Sequence, residues 1–268
     1  MSAREKFMDD TLLIEDRGPV RWLTLNRPAA MNALSPAMTA TLHRAIGDAG
    51  ADERVRCVVI TGVGRAFCAG ADLKAVRREA GLDEGTLRKF LELAAATMNR
   101  IEALPKPVIA AVNGLALAGG LEIVLACDLV LAAQSAKFGD AHVNFGLLPG
   151  GGSSVRLPRK LGPNRAKYLL YSGDSVPAAE FLACGFVHQV APDDQLAVAA
   201  GDLATRLAAK SPLALRRLKQ LVDVGLEQSR ATALQLELAA SEAHAFSHDL
   251  KEGLAAFEER RAPHFLGR

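Results

Sequence analysis

The stretch 107–122, PVIAAVNGLALAGGLE, constrains the fold more than any other part of the chain, because an apolar run passes through a turn into a glycine-opened helix. Val108, Ile109, Ala110, Ala111 and Val112 form a short, continuous apolar run, the pattern of a strand covered on both faces. Asn113 and Gly114 tolerate positive φ, so a turn is predicted there. Gly119-Gly120 ahead of the apolar run 121–126 predicts a helix whose first turn exposes unpaired N–H groups with nothing bulky in front of them. Such a terminus favours negative charge. Glu122 falls in that first turn, so an acid and a donor-rich backbone share one small space. Acyl chemistry uses both: N–H groups hold an oxygen that gains charge, and an acid or base stands beside the reacting carbon. The same residues also suit plain structure, with the glycines allowing close packing and Glu122 capping the helix. Other segments decide between the two.

Along the rest of the chain, strands and helices alternate. Residues 11–15 and 20–25 read as a hairpin around Arg17-Gly18. Ser35 caps a helix with Pro36 at its first position, and Met38, Leu42, Ala45 and Ile46 carry its apolar face to about residue 51. A buried strand at 55–61 runs into the glycine-rich segment 62–73. Phe67 stands where a dinucleotide fingerprint needs glycine, and Ala69-Gly70-Ala71 is too irregular for that motif's helix. A loop with a second set of exposed backbone donors fits better. Residues 86–104 form an amphipathic helix ended by Pro105-Lys106-Pro107, and 127–132 is another buried strand. The long, glycine-rich loop 137–154 is the kind of segment that carries function. From Pro163 onward helices dominate, at 164–171, 178–184, 195–210, 212–227 and 231–246, with one strand at 186–190. This alternation argues for an α/β fold with parallel sheets and helical crossovers.

Composition narrows the function classes. The 268 residues are 50% hydrophobic, enough for a large core. The 32 basic and 30 acidic residues are well mixed, so no nucleic-acid footprint is visible. Cys57, Cys68, Cys127 and Cys184 show no CxxC spacing, which fits reduced thiols and argues against a structural metal site. His244 and His248 are four apart and could share a helix face, but no third ligand is near them. No apolar run reaches the roughly 18 residues of a membrane span, and the charged N-terminus lacks a signal-peptide core. A cytoplasmic location without membrane partners is expected.

Several blocks together resemble the crotonase, or enoyl-CoA hydratase/isomerase, family. They are NRPAAMNAL at 26–34, AFCAGADL at 66–73, KPVIAAVNG at 106–114, GGLE at 119–122 leading to Cys127-Asp128, and KEG at 251–253 leading to FEERR at 257–261. The resemblance implies a spiral of ββα units at 1–200 carrying an acyl-CoA site, and a C-terminal helical region at 201–268 that builds a trimer or a dimer of trimers. It implies that the N–H groups of Ala71 and Gly119 form an oxyanion hole for a thioester enolate. It further implies that Ala69, Asp72, Leu73 and Lys74 line the substrate, and that Arg260 matches a basic position near the CoA phosphates. The plain alternative for Lys74 and Arg260 is an ordinary surface charge, a reading that fits Arg260 nearly as well. No separate cofactor is implied, since coenzyme A is part of the substrate.

One position departs from the family pattern. Its hydratases place one glutamate at the Glu122 position and a second in the loop after the phenylalanine-glycine pair, where this chain has His142. Hydration needs two groups, one to deprotonate water and one to deliver a proton next to the thioester. Imidazole titrates near neutrality and can do either, with a different reach and charge cycle. Asp140, two residues away, points the same way in an extended segment but farther along, and is a possible substitute. Three readings stay open: hydration of a 2-enoyl-CoA by Glu122 and His142, another enolate reaction such as isomerisation, hydrolysis or decarboxylation, and a non-catalytic acyl-CoA-binding paralogue.

Overall fold

The structure, a computed structural model, describes residues 10–75 and 84–268. An antiparallel hairpin of β1 (Leu12–Arg17) and β2 (Val20–Leu25) opens the chain and leads to α1 (Pro36–Ala51). Ser35 caps α1 as its sequence position predicts, its hydroxyl accepting from the Met38 N–H at 3.2 Å.

A repeating step follows, in which one strand enters a larger sheet, a three-residue strand enters a smaller one, and a helix crosses back. The first step is β3 (Cys57–Gly62), β4 (Ala66–Cys68) and α2 (Glu84–Glu102), and the second is β5 (Val108–Val112), β6 (Leu115–Leu117) and α3 (Gly119–Ala126). The third is β7 (Leu129–Ala133) and β8 (Lys137–Gly139), running through a 3-10 turn at His142–Phe145 into α4 (Ser153–Leu161). Then come α5 (Pro163–Ser172), β9 (Ser175–Pro177), α6 (Ala178–Ala183), β10 (Gln189–Ala191) and α7 (Leu196–Ala208), and finally α8 (Pro212–Gly225), α9 (Arg230–Ala245) and α10 (His248–Glu258).

The larger sheet has the order β1-β2-β3-β5-β7-β10 and is parallel from β2 onward; the smaller has the order β4-β6-β8-β9, parallel except for the β8–β9 pair. Every residue of β5 is buried, as expected for a strand covered on both faces. Leu196, Ala200, Ala204 and Ala208 recur every fourth residue along α7 and are buried where that helix packs on β2, β3, β5 and β7. Residue 200 lies inside this helix. No helix among the described residues is long and apolar enough to cross a membrane.

The structure departs from the sequence-based expectations at four points. The segment after β5 does not turn straight into a helix, because β6 intervenes and pairs with β4 and β8. Neither Asn113 nor Gly114 has a positive φ; in this segment the positive φ belongs to Ala118, at 47°. The loop expected at 137–154 contains β8 and runs into α4. Finally, β10 begins at Gln189, because Phe186 and Val187 are held back at the end of α6 by bonds to the Phe181 carbonyl.

Candidate active site

The two donor loops meet where β4 and β6 end. Leu34 donates its N–H to the Gly70 carbonyl at 2.7 Å and accepts from the Asp72 N–H at 3.0 Å. Both backbone neighbours of Ala71 are therefore turned towards Leu34, and the alternation of an extended chain turns the Ala71 N–H the other way. Gly119 opens α3, so its N–H has no carbonyl one turn back to bond. The loops approach closely: a Cβ on Gly70, which has φ 101°, would stand 2.9 Å from the Ala118 Cβ and 3.5 Å from the Gly119 nitrogen. A Cβ on Gly120 would strike the Cys68 carbonyl. Glycine at 70 and 120 is thus required for the two loops to approach this closely.

The block at 26–34 supports this corner. Asn32 is fully buried, donates to the Val63 and Ala66 carbonyls at 2.9 and 2.7 Å, and accepts from the Arg27 N–H at 2.7 Å. The Arg27 guanidinium donates to the Ala33 carbonyl and to Asp72 Oδ2, the latter at 2.7 Å. Asp72 also accepts from the Ala75 N–H at 2.9 Å, so its carboxylate is engaged in holding the loop.

Glu122 lies one turn into α3 and is 4% exposed. Its Oε1 accepts from the N–H groups of Gly151 at 2.7 Å and Ser153 at 3.1 Å, where the glycine-rich loop enters α4. A Cβ on Gly151 would stand 2.6 Å from Oε2, so this glycine keeps the second oxygen clear. Burial raises the Glu122 pKa, opposed by the Ser153 N–H, the charge of His142 and the Gly151 N–H. Arg156 holds the loop from behind, donating to the Gly151 carbonyl at 2.8 Å and to Asn99 and Glu102 of α2 at 2.7 Å each.

His142 follows β8, whose last residue, Gly139, accepts from the Ala118 N–H at 3.0 Å at the start of α3, and the charges of His142 and Glu122 act on each other. Asp140 is not farther along, as an extended segment would place it. Ala141 between them is left-handed, with φ 54°, a conformation costing about 1–3 kcal/mol, and it folds the carboxylate back onto the imidazole. Asp140 Oδ1 lies 2.9 Å from His142 Nδ1, and Asp140 is 1% exposed. Burial disfavours the imidazolium, but the Asp140 bond and charge and the Glu122 charge outweigh it, and the His142 pKa is raised. Asp140 Oδ2 and Ser153 Oγ are buried without a partner among the described residues.

The structure thus brings Ala71, Gly119, Glu122 and His142 to one corner of the smaller sheet. Ala69 is bound by its N–H to the Met31 carbonyl at 3.0 Å, beside that corner. Leu73 and Lys74 are exposed, on the short helical turn that follows Asp72. Arg260 is exposed just past α10, with φ 54°. From the sequence, residues 82–88 and the helix after them are expected to wall the acyl pocket; of these, 82 and 83 lie outside the described residues, as does the rest of 76–83. His244 and His248 do not share a helix face, because Phe246-Ser247 separates α9 from α10. Sequence reasoning missed Gly151, Ser153 and Arg156 as the holders of Glu122; their signal was a glycine run opening a helix, the same signal that marked Gly119.

The site is thus a buried carboxylate held by backbone donors, set on a fold of two sheets threaded by ββα steps. The family model described as enoyl-CoA hydratase/isomerase matches residues 15–268. The chain is 36% identical over 260 residues to a crotonyl-CoA hydratase of Syntrophomonas wolfei, covering 97% of this chain and 99% of the relative. It is 36% identical over 253 residues to a short-chain-enoyl-CoA hydratase of Clostridium acetobutylicum, covering 94% and 96%. The crystal structure of an enoyl-CoA hydratase from Bacillus anthracis superposes with a TM-score of 0.92 at 38% identity, covering 96% of this chain and all of that one. The chain belongs to the enoyl-CoA hydratase/isomerase, or crotonase, family and has its α/β fold; an acyl-CoA substrate comes with that family.

Proposed function

We propose that the protein hydrates a 2-enoyl-CoA, with Glu122 and His142 as the acid-base pair. The observation that carries this reading is a buried carboxylate, Glu122, on the helix that Gly119 opens, with the start of that helix bonded through the Ala118 N–H to Gly139, three residues before the partly buried His142. Glu122 takes a proton from water as the water oxygen bonds to the β-carbon. The double-bond electrons move towards the thioester oxygen, which the Ala71 and Gly119 N–H groups hold; comparable donors contribute about 3–4 kcal/mol each. His142 then gives its Nε2 proton to the α-carbon, the thioester carbonyl reforms, and the proton on Glu122 returns to His142 through solvent. The Gly151 and Ser153 donors on Oε1 leave Oε2 for the reacting water. The names of the two relatives above support the same reaction class.

The backbone at Ala69 and Asp72, together with Leu73, Lys74 and Arg260, is assigned to the CoA moiety. Residues 1–200 serve as the catalytic core and 201–268 as an oligomerising region in a homotrimer or a dimer of trimers, in the cytoplasm. Support for association comes from apolar stripes that the single chain leaves bare: Leu218, Val222 and Leu226 along α8 and just past it, and Leu234 and Leu238 on α9. The α8 stripe borders a groove of about 1080 Å3 shared with Leu104, Cys127 and Lys160. Product analysis tests the reaction. Crotonyl-CoA incubated in heavy-oxygen water is expected to yield the 3-hydroxy thioester with one labelled oxygen; free CoA thiol or an isomerised thioester in its place would overturn the assignment.

A further inference from the structure

A carboxylic acid that gives up a proton passes from neutral to singly negative, whereas an imidazolium passes from singly positive to neutral. Putting histidine where relatives of this fold are expected to carry a second glutamate moves the site's charge up by one unit at every stage, unless a neighbour supplies the missing negative charge. Asp140 is placed to do so. It is 1% exposed, its Oδ1 lies 2.9 Å from His142 Nδ1, and among the described residues no lysine or arginine pairs with it. Its second oxygen, Oδ2, has no donor at all among those residues. A buried carboxylate with a single imidazole partner is costly to keep for structure alone. The left-handed Ala141 that brings the two together adds to that cost.

We propose that Asp140 is the positioning residue of His142, and that the Asp140–His142 couple acts as one unit in place of a single carboxylic acid opposite Glu122. The ionised carboxylate accepts from Nδ1–H, which fixes the tautomer and leaves Nε2 as the working nitrogen. In its protonated state the couple is neutral. When Nε2–H passes to the α-carbon of the enolate, the enolate electron pair forms the new C–H bond and the couple becomes singly negative, the same cycle a glutamic acid runs. The charges acting on His142 are Asp140 on its own loop and Glu122 from α3. Of the groups on α5, which packs against the His142–Phe145 turn, Tyr168 bonds Asp174, Arg165 pairs with Glu180, and Lys167 is exposed.

The proposal rests on the hydration reading for its chemistry, though its geometry is independent of it, so the test has two arms. In the first, crotonyl-CoA hydration is compared in wild type, Asp140→Asn, His142→Glu and the double variant. Asp140→Asn keeps the shape and removes the charge. It is expected to lower kcat about tenfold to a hundredfold with KM within about twofold, and to move the alkaline limb of the rate profile to lower pH. His142→Glu sets a second carboxylate against Asp140 and is expected to be poor. Adding Asp140→Asn to it removes the like charge and is expected to recover at least about tenfold of the lost kcat. A double variant no better than His142→Glu, or an Asp140→Asn enzyme with unchanged kcat and pH profile, overturns the proposal. In the second arm, the His142 imidazole is titrated by NMR in wild type and Asp140→Asn without substrate. A midpoint that falls in the variant supports the couple, and an unmoved midpoint overturns it. Should the wild type leave crotonyl-CoA unhydrated, the hydration reading falls and this second arm still decides whether the couple exists.

Discussion

Glu122 is held by two backbone donors in a place where burial raises its pKa, while His142 beside it is raised by carboxylates that outweigh its own burial. Hydration as proposed requires ionised Glu122 and protonated His142 together. The rate should therefore be bell-shaped in pH, with an acid limb above glutamate's ordinary 4.5 and an alkaline limb above histidine's ordinary 6.5. Glu122→Gln removes the base without reshaping the pocket. It should lower kcat by about a hundredfold or more while acyl-CoA binding, followed by calorimetry, stays nearly intact; unchanged turnover would remove Glu122 from the mechanism. At this scale the sequence was informative where backbone chemistry speaks directly. Gly119 and Glu122 could be placed because a glycine pair opening a helix in front of an acid offers free N–H groups to whatever the acid works on. The Asp140–His142 contact could not, because it depends on a left-handed alanine, a residue whose identity carries no sign of that conformation.

The helices and strands differ in how plainly they are written. The five-residue strand β5 and the Ser35–Pro36 start of α1 follow from apolar continuity and cap chemistry. The three-residue strands β4, β6, β8 and β9 are too short to show a period of two, and backbone pairing across the chain, not their own residues, makes them strands. Helix α4 was hidden behind the glycine run and by Pro158 inside it, and its existence matters, because its start supplies the Ser153 donor and its Arg156 anchors the Gly151 carbonyl. Arg156→Ala leaves that carbonyl and Glu102 without their partner. It should lower unfolding stability by about 1–3 kcal/mol in urea titration and lower kcat more than it raises KM. Ser35→Ala should cost about 1 kcal/mol of stability through the lost cap, with kcat unchanged because the lost bond is local to the first turn of α1 and neither of its partners is a proposed site residue. A matching loss of kcat in Ser35→Ala would show that α1 does more than support.

Across the whole molecule, the larger sheet and α7 carry the core, and the smaller sheet brings the loops of Gly70 and Ala118 together with the segments that carry Glu122 and His142. Lys219 ties α8 back to this core through Asp128 at 2.9 Å, and Arg56 holds the tail by the Phe265 carbonyl at 2.7 Å. If the bare stripes on α8 and α9 join copies of the chain as proposed, sedimentation should find a trimer or a dimer of trimers of the 28.4 kDa chain. Val222→Asp puts a charge into the α8 stripe and should shift that population towards monomer; an unchanged assembly would take the stripe out of the interface. The most direct test of the central claim is the loss of the conjugated enoyl-thioester absorbance when the purified protein meets crotonyl-CoA across about pH 5 to 9. Rapid loss along a bell-shaped profile, with the acid limb above the ordinary glutamate value and the alkaline limb above the ordinary histidine value, is the predicted result. Saturable binding of the same thioester with no loss of absorbance at any pH would contradict it.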